Sequence, residues 1–361
     1  MGTRNFPTHP SELTPEWITE RLRDAGAITA SRVTGLTTSP VGEGIGFLGI
    51  LAKATLEYDQ PEPGAPGAVV GKFASPVPSN RAVAMAYRMY EREVGFYREI
   101  APTIDVSAPR CFAAEVEPES GDCVLLLEDL SAMTTGDQVA GCDAATAKQI
   151  IDAVAPLHAK YWGHPEDLAV ESVPRIDGEA QIAGITAGCE AGWDPCMANF
   201  GHVVSDEIKA SRDRFLAAVP EIHRMIGRRV QTIIHGDVRL DNLMFDETKI
   251  ILLDWALSIS SGLQDVGYLL SQNVTTDERR AHETELLEHY QRRLAEHGIE
   301  YPLEQCWEDY KVGVLYMFCY AVVIAGTLDP ANERGAAFME KLVERASATM
   351  MDHDILSLLP G

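Results

Sequence analysis

The stretch from Ile233 to Trp255, IIHGDVRLDNLMFDETKIILLDW, carries the clearest structural signal in the chain. Two short apolar segments typical of β-strands enclose a polar loop. Asp237 and Asn242 lie in that loop, and the second apolar segment runs into Asp254. The sequence therefore gathers three oxygen-bearing side chains around one strand–loop–strand unit.

These three side chains match the requirements of phosphoryl transfer from a nucleotide. The reaction needs a carboxylate that aligns the attacking hydroxyl group and hard oxygen ligands for Mg²⁺, with little covalent chemistry from the protein. Asp237 suits the first task, and Asn242 and Asp254 suit the second. An ordinary polar turn between two strands is the alternative, but the opening His-Gly-Asp and the closing Asp-Trp disfavour it.

A second candidate element lies upstream, where Lys72 interrupts the otherwise apolar segment AVVGKFA. A lysine inside a strand can pair its ammonium group with nucleotide phosphates, whereas a strand-edge lysine that faces solvent is the alternative. The following helical segment, YEREVGFYREI, offers Glu91 and Glu93 as acidic partners for Lys72. The lysine and the later loop together favour a nucleotide-dependent enzyme.

The patterns along the 361 residues predict two parts of different class. After a helix that begins near Thr14 and ends at Gly26, short apolar segments predict an antiparallel sheet: VTGLTTSPV, FLGILAKATLEY, AVVGKFA and CVLLLEDL. One helix, from residue 80 to residue 100, interrupts them, and the tract DQPEPGAPG reads as a hairpin loop or a short disordered excursion. Beyond Leu130 the periodicity is mostly helical, although residues 160–230 match no motif. We therefore predict an α+β protein with a β-rich part, residues 1–130, and a helical part, residues 131–361.

The segment from His235-Gly236-Asp237 through Asn242 to Asp254-Trp255 resembles the aminoglycoside phosphotransferase and choline kinase group of kinase-like enzymes, and within it the ecdysteroid kinase-like branch. Protein kinases have Arg in place of this Gly and Phe in place of this Trp. The resemblance implies a two-lobed protein-kinase-like fold that uses ATP and Mg²⁺. It also implies that Asp237 is the catalytic base and that Asn242 and Asp254 bind the metal.

The same resemblance assigns roles in the N-terminal part. Glu93, in Glu-Val-Gly-Phe-Tyr, matches the family's partner for the phosphate-binding Lys72. Backbone groups of Glu128 and Leu130 would contact the adenine edge. Glycines let backbone N–H groups approach phosphates closely. The loop that covers the nucleotide is expected at three alternating glycines: Gly42, Gly44 and Gly46.

Arg239 is a further candidate for the catalytic step. It stands two residues after Asp237, where many protein kinases place a lysine. A guanidinium group can meet two oxygens of the γ-phosphoryl group while that group is being transferred. The alternative is an arginine that turns outward or pairs with Asp241. By resemblance, Asp265 braces the catalytic loop from the start of a helix, and His235 orients it.

We therefore predict a phosphotransferase that moves the γ-phosphate of ATP to a hydroxyl group of a small molecule. The ecdysteroid kinase-like resemblance favours a neutral or lipophilic alcohol. An aminoglycoside or a choline-like amino alcohol is the alternative, with Glu190 and Asp194 as candidate carboxylates. Helical aromatic residues usually pack in a core, but some could line an acceptor pocket. The aromatic candidates are Trp193, Trp307, Tyr310, Tyr316, Phe318 and Tyr320.

Two other classes of protein fit this sequence less well. A protein kinase needs an activation segment, but only ten residues separate Asp254 from Asp265. A pseudokinase scaffold, which binds nucleotide without turnover, should lack one of the chemistry-bearing residues. All of them are present: Lys72, Asp237, Asn242 and Asp254.

The bulk properties limit the partners of the protein. The formal net charge of −24 opposes binding to nucleic acid or to an anionic membrane surface. Seven cysteines without a Cys-x-x-Cys pair predict neither a zinc site nor a disulfide framework. The segment MGTRNFPTHPSE has no apolar run of the secretory type, and together with reduced thiols this predicts a cytoplasmic protein. No feature of the sequence predicts an obligatory protein partner. The longest apolar run, Val312 to Gly326, predicts a buried core helix.

Overall fold

The computed structural model describes residues 5–41, 49–168, 170–329 and 332–360. The chain divides into two compact units. The first comprises Met1–Thr103 and Ala108–Thr134, and the second comprises Ile104–Ser107 and Thr135–Gly361. The first unit contains the antiparallel sheet, and the second contains most of the helices.

Within the described residues, the first unit is built on five antiparallel strands: β1 (Val33–Val41), β2 (Gly49–Tyr58), β3 (Ala68–Ala74), β4 (Cys111–Glu117) and β5 (Asp122–Glu128). Their spatial order is β1-β2-β3-β5-β4. The strand between the predicted helix and CVLLLEDL, whose sequence is CFAAEVE, was not predicted, because small, acidic and apolar residues follow one another there without regular alternation.

Helix α1 (Pro15–Asp24) packs against one face of this sheet. The Thr14 side chain caps the helix by accepting a hydrogen bond from the N–H of Trp17 at 3.2 Å. Leu22 of the helix is completely buried in one core with Phe73 of β3. Because side chains alternate along a strand, the neighbouring lysine of β3 lies on the opposite face of the sheet.

The single helix predicted over residues 80–100 is broken in the structure. Helices α2 (Pro78–Ala86) and α3 (Met89–Gly95) are separated at Arg88, whose φ of 52° lies in the left-handed region. The two halves have different surroundings, since α2 is mostly exposed and α3 is mostly buried. In one continuous helix, the side of α3 that is now buried would face another direction. A π-helical turn at Phe96–Ile100 follows α3.

The tract DQPEPGAPG forms an ordered connection between β2 and β3. Its Glu62 carboxylate accepts hydrogen bonds from the N–H and the hydroxyl of Thr29, both at 2.7 Å. It also accepts hydrogen bonds from the N–H groups of Ala30 at 3.1 Å and Ser31 at 2.8 Å. One acid therefore fixes two loops of the first unit to each other.

The second unit is mainly helical. The mostly helical periodicity beyond Leu130 is confirmed, although the helical segment DEIKASRDRFLAAVPEIHRMI forms two helices that meet at Ser211. The helix at Glu179–Phe200 was missed because it contains three glycines and a proline, which are poor helix formers. The helices are α4 (Ala144–Lys160), α5 (Glu179–Phe200), α6 (Asp206–Ala210), α7 (Arg212–Gly227), α8 (Leu263–Tyr268), α9 (Thr276–Glu296), α10 (Leu303–Thr327) and α11 (Glu333–Asp352).

Helix α10 forms the centre of the second unit, where it packs against α5, α7, α8 and α11. A Cβ atom on Gly326 would lie 1.9 Å from the carbonyl oxygen of Gly192, so α5 and α10 approach to a distance that only glycine allows. Within the described ranges, α10 is the one helix whose length and composition would let it cross a membrane, and 67% of its most apolar stretch is buried.

Short strands of the second unit carry the loop that the sequence analysis singled out. β7 (Thr232–Ile234) pairs antiparallel with β10 (Ser258–Ser260). β8 (Leu243–Phe245) pairs antiparallel with β9 (Ile250–Leu252). A further two-residue strand, β6 (Thr134–Thr135), lies where the chain passes from the first unit to the second.

Candidate active site

The loop that follows β7 brings three of the predicted residues into direct contact. Asn242 donates from Nδ2 to Oδ2 of Asp237 at 2.9 Å and to the main-chain oxygen of Asp237 at 3.1 Å. Arg239 donates from Nε to Oδ1 of Asn242 at 3.2 Å, and the same nitrogen lies 3.5 Å from Oδ2 of Asp237. The predicted base, a predicted metal ligand and the arginine therefore form one cluster, which we call the catalytic cluster.

The charges of the catalytic cluster are matched. The Asp237 carboxylate is the main reason why the pKa of Arg239 lies above its usual range. The two side chains are 33% and 32% exposed, respectively, so solvent reaches both. The cluster therefore offers an accessible carboxylate beside a fixed cation.

Strand register places Asp254 at the same end of the β8–β9 hairpin as Asn242. Leu243 lies opposite Leu252, and the N–H of Leu253 donates to the carbonyl oxygen of Asn242 at 2.8 Å. Asp254 is the next residue, and its φ of 57° is left-handed. That conformation is uncommon for residues other than glycine, and strained backbone of this kind clusters at functional sites.

Asp265, in the first turn of α8, fixes the backbone directly before the catalytic cluster. Its Oδ2 accepts a hydrogen bond from the N–H of His235 at 2.8 Å, and its Oδ1 accepts one from the N–H of Gly236 at 3.0 Å. Gly236 has a φ of 87°, and a Cβ there would lie 3.1 Å from the carbonyl oxygen of Ala256. The turn therefore needs glycine, and the carboxylate holds it in place.

Two buried residues that the sequence analysis did not single out complete this support. Nε2 of His158 lies 3.2 Å from Oδ2 of Asp265, and Nδ1 of His158 lies 3.0 Å from the hydroxyl oxygen of Tyr290. Because a carboxylate accepts, the geometry assigns the ring proton to Nε2 and makes the tyrosine the donor to Nδ1. The available signal in the sequence was a histidine within the apolar side of a predicted helix.

His235 orients the loop, as the resemblance implied. Its Nδ1 accepts the N–H of Asp237 at 3.2 Å, and its Nε2 lies 3.0 Å from the carbonyl oxygen of Leu253. The ring packs on Trp255 with 4.5 Å between the ring centroids. Complete burial lowers the pKa of His235. Both ring nitrogens are engaged by the main chain, so this histidine is not placed to act as a base.

The first unit holds the predicted phosphate-binding lysine. Nζ of Lys72 donates to Oε1 of Glu93 at 2.7 Å, and the two side chains are largely buried. Glu91, the other acid considered, pairs instead with Arg88 at 2.6 Å. The ion pair with Glu93 orients the ammonium group on the sheet face opposite the α1 core.

The remaining nucleotide-binding predictions stay predictions. The main-chain N–H of Glu128, at the end of β5, donates to the carbonyl oxygen of Arg110 at 2.9 Å, and the carbonyl oxygen of Leu130 accepts from the N–H of Met133 at 2.9 Å. An adenine edge would have to use the other main-chain groups of Glu128 and Leu130. The glycines of the predicted covering loop lie outside the described residues: Gly42, Gly44 and Gly46.

The alternative pairing of Arg239 with Asp241 does not occur. Asp241 pairs with Arg334, which lies in the first turn of α11. Nη2 of Arg334 lies 2.7 Å from Oδ1 of Asp241. The same nitrogen lies 3.4 Å from Oδ1 of Asp137. The sequence analysis missed Arg334 because it is far from the loop along the chain and belongs to no motif.

A family model described as the ecdysteroid kinase-like family matches residues 43–162 and 181–300, well over half of the chain. The chain belongs to the ecdysteroid kinase-like family. The resemblance seen in the His-Gly-Asp segment is thereby confirmed. No curated protein sequence matches the chain significantly.

Solved structures share the fold of this ecdysteroid kinase-like protein. A candidate aminoglycoside phosphotransferase from Ralstonia eutropha JMP134 aligns with a TM-score of 0.56 and 17% identity over 96% of this chain and 99% of the other. A choline kinase from Cryptosporidium parvum Iowa II aligns with a TM-score of 0.54 and 10% identity over 96% and 98%. A choline kinase from Streptococcus pneumoniae aligns with a TM-score of 0.50 and 13% identity over 92% and 98%. These similarities confirm the predicted kinase-like fold, and family and fold are those of small-molecule kinases.

The residues considered for the acceptor site of this ecdysteroid kinase-like protein are mostly engaged elsewhere. Trp193 is buried, with ring centroids 5.2 Å from Phe215 and 6.5 Å from Phe318. Asp194 on the same helix pairs with Arg212 at 3.0 Å. Burial stabilises the helical core and removes these rings from an open pocket. The other fully buried candidate aromatics are Tyr310, Tyr316 and Phe318.

Proposed function

We propose that this chain transfers the γ-phosphate of ATP, in the presence of Mg²⁺, to a hydroxyl group of a small molecule. The observation that carries the proposal is the hydrogen-bonded catalytic cluster of Asp237, Arg239 and Asn242, next to the strand end that leads into Asp254. Membership of a family with the fold of small-molecule kinases supports the same reaction.

In this proposal Asp237 aligns the acceptor hydroxyl group and receives its proton. The partial exposure of its side chain lets an acceptor reach it, while Asn242 holds one of its oxygens. Asp265 fixes the main chain before it, so the carboxylate needs little reorganisation during the transfer.

Asn242 and Asp254 are the residues that would hold Mg²⁺. Their donor chemistry fits the ion, because an amide oxygen and a carboxylate are hard oxygen ligands and Mg²⁺ takes one or two protein ligands beside phosphates and water. The strand register that puts both residues at one end of the β8–β9 hairpin supports this assignment. The ion would neutralise charge on the nucleotide phosphates.

Lys72 is assigned to the α- and β-phosphates, with Glu93 keeping its ammonium group in place. Arg239 is assigned to the transferring γ-phosphoryl group. A guanidinium presents its donors in a rigid fork that matches phosphate oxygens, and the cluster holds this one beside Asp237.

The proposed acceptor is an uncharged or weakly charged alcohol. The ecdysteroid kinase-like family supports it. The ion pair of Asp241 with Arg334 also supports it, because it neutralises a carboxylate of the Asp237 loop that a polycationic acceptor could use. A cationic acceptor is the alternative, since structural relatives are named as aminoglycoside phosphotransferases and choline kinases.

A screen of nucleotide consumption tests the acceptor. Neutral alcohols, amino alcohols, sugars and aminoglycosides are offered with Mg²⁺ and either ATP or GTP, because an aminoglycoside 2'-phosphotransferase-IIIa is known in complex with GDP. We expect ATP turnover with neutral alcohols. Efficient phosphorylation of aminoglycosides, with none of lipophilic alcohols, contradicts the proposed acceptor class.

Two variants test the reaction itself. Asp237→Asn should lower kcat by about 10²–10⁴-fold, the usual effect of losing a general base, while ATP still binds. Asp254→Ala should abolish Mg²⁺-dependent binding of a non-hydrolysable ATP analogue, measured by calorimetry. Near-normal turnover of the first variant, or unchanged metal dependence of the second, contradicts the assigned role.

A further inference from the structure

Arg239 stands between two carboxylates of its own loop, since Asp237 precedes it by two residues and Asp241 follows it by two. The structure shows it with Asp237 and Asn242. Asp241 is close enough for its charge to contribute to the raised pKa of Arg239, behind the larger effect of Asp237. Asp237 and Asp241 therefore compete for this arginine, and the structure shows it with Asp237.

Arg334 is the residue that takes Asp241 out of this competition. Its Nη2 lies 2.7 Å from Oδ1 of Asp241, whose side chain is only 15% exposed. Arg334 projects from the first turn of α11, and Asn332 caps that helix by accepting the N–H of Gly335 at 2.9 Å. A capped helix therefore delivers a positive charge to the loop from a distant part of the same unit.

We propose that Arg334 is a positioning residue that pairs with Asp241 and thereby commits Arg239 to the catalytic cluster. The inference rests on the proposed function only for its effect on turnover. A largely buried carboxylate that loses its partner is costly, so Asp241 without Arg334 would attract another cation. Arg239 is the cation of its own loop, and its reorientation would leave Asp237 and Asn242 without it.

Electrostatics between the two arginines act in the same direction. The hydrogen bond with Asp241 is the main cause of the raised pKa of Arg334, and the like charge of Arg239 opposes it. The two guanidinium groups are therefore near enough to repel each other. With Arg334 on Asp241, the repulsion disfavours a second guanidinium at the same carboxylate, which leaves Arg239 with Asp237.

Four proteins test the proposal: wild type, Arg334→Ala, Asp241→Asn and the double variant. Crystal structures report the partner of Arg239, and ATP hydrolysis without added acceptor reports turnover. In Arg334→Ala, Arg239 should turn to Asp241 in part of the molecules, so kcat should fall only about two- to fivefold, the shift that a partly exposed ion pair can cause, with little change in the Kd for ATP. In the double variant, the partner of Arg239 and the value of kcat should both equal those of Asp241→Asn. In that single variant Arg239 should stay with Asp237, because a neutral amide does not attract the arginine.

Arg228→Ala is the matched control. Arg228 is as exposed as Arg334, at 59%, and pairs with Glu221 at 2.6 Å, but it lies at the end of α7 away from the loop. It should match Arg334→Ala in thermal midpoint and keep the turnover of the wild type. If kcat falls by the same factor in both variants, the effect of Arg334→Ala is that of losing any surface ion pair, and the proposal is overturned.

Two further outcomes separate this inference from the proposed function. The positioning role is overturned, even in an active enzyme, if Arg239 stays on Asp237 and Asn242 in crystals of Arg334→Ala. It is also overturned if adding Asp241→Asn to Arg334→Ala fails to restore the partner of Arg239 and the lost kcat. If the arginine moves as expected but the wild type never consumes ATP, the positioning role stands and the proposed function fails.

Discussion

Nε2 of His158 lies 3.2 Å from Oδ2 of Asp265, and both side chains are almost completely buried. This contact links α4 to the carboxylate that holds the main chain of His235 and Gly236. The loop that carries Asp237 is therefore anchored through a histidine that lies outside the cluster of Asp237, Arg239 and Asn242. The packing of the helices in the second unit therefore determines where His158 lies.

His158→Ala should lower both stability and turnover. The change leaves a buried carboxylate with one donor fewer, which costs about 1–3 kcal/mol, and it loosens the backbone before Asp237. His158→Gln is the matched variant, because its amide nitrogen can replace Nε2 and should restore part of both quantities. Denaturant unfolding and kcat per folded molecule measure them, and a wild-type kcat in His158→Ala contradicts a role in positioning the loop.

Arg239→Ala should lower kcat with little change in the Kd for ATP. A contact made to the γ-phosphoryl group in the transition state affects kcat and leaves ground-state binding intact. The expected loss is about 10²–10³-fold, as for removal of one donor at a site of developing charge. The thermal midpoint is measured beside kcat on active-site-titrated protein. A lowered midpoint with unaltered turnover would make Arg239 a structural residue only.

Gly326→Ala should destabilise the second unit strongly. The new Cβ would lie 1.9 Å from the carbonyl oxygen of Gly192, a main-chain atom that cannot swing aside, so α5 and α10 must separate. Overpacking of a core costs about 1–3 kcal/mol, and occasionally more. Gly201→Ala is the control, because its Cβ would lie 3.9 Å from the Cβ of Met197, an ordinary contact. Equal unfolding midpoints for the two variants would contradict the close helix approach.

Glu62 should make the stability of the first unit depend on pH. Hydrogen bonds from the main chain of Ser31 and from the side chain of Thr29 lower the pKa of Glu62 from 4.5 to about 2. A lowered pKa means that the contribution is fully present above the unfolded value and is lost as the pH falls through the folded value. Glu62→Gln should therefore unfold at a lower urea concentration than the wild type at neutral pH. The difference between the two unfolding midpoints should shrink as the pH falls from 4.5 towards 2.

Urea unfolding at neutral and acidic pH measures this difference. Glu119→Gln is the control, because Glu119 is an exposed acid on the turn between β4 and β5 and should unfold like the wild type. A constant difference between Glu62→Gln and the wild type at every pH would show that the carboxylate contributes nothing through its charge.

Much of the fold could be predicted because the decisive patterns are local. Thr14 caps a helix through an N–H three residues away, and alternation along β3 separates Phe73 from Lys72. Predictions failed where packing overrides local preference. The break at Arg88 divides a segment with helical periodicity, and α5 forms despite its glycines because they let α10 approach.

The sequence by itself determined which oxygen-bearing side chains come together in the candidate site: Asp237, Asn242 and Asp254 lie within one short strand–loop–strand segment, and adjacent strands with a short connection leave little choice of arrangement. Only the tertiary structure decided what holds that segment. His158 and Arg334 come to it from helices far away along the chain, and they do so through single side chains without any periodic pattern. The physical reason is that a local pattern encodes backbone geometry and burial, whereas a contact between distant side chains exists only once the helices have packed.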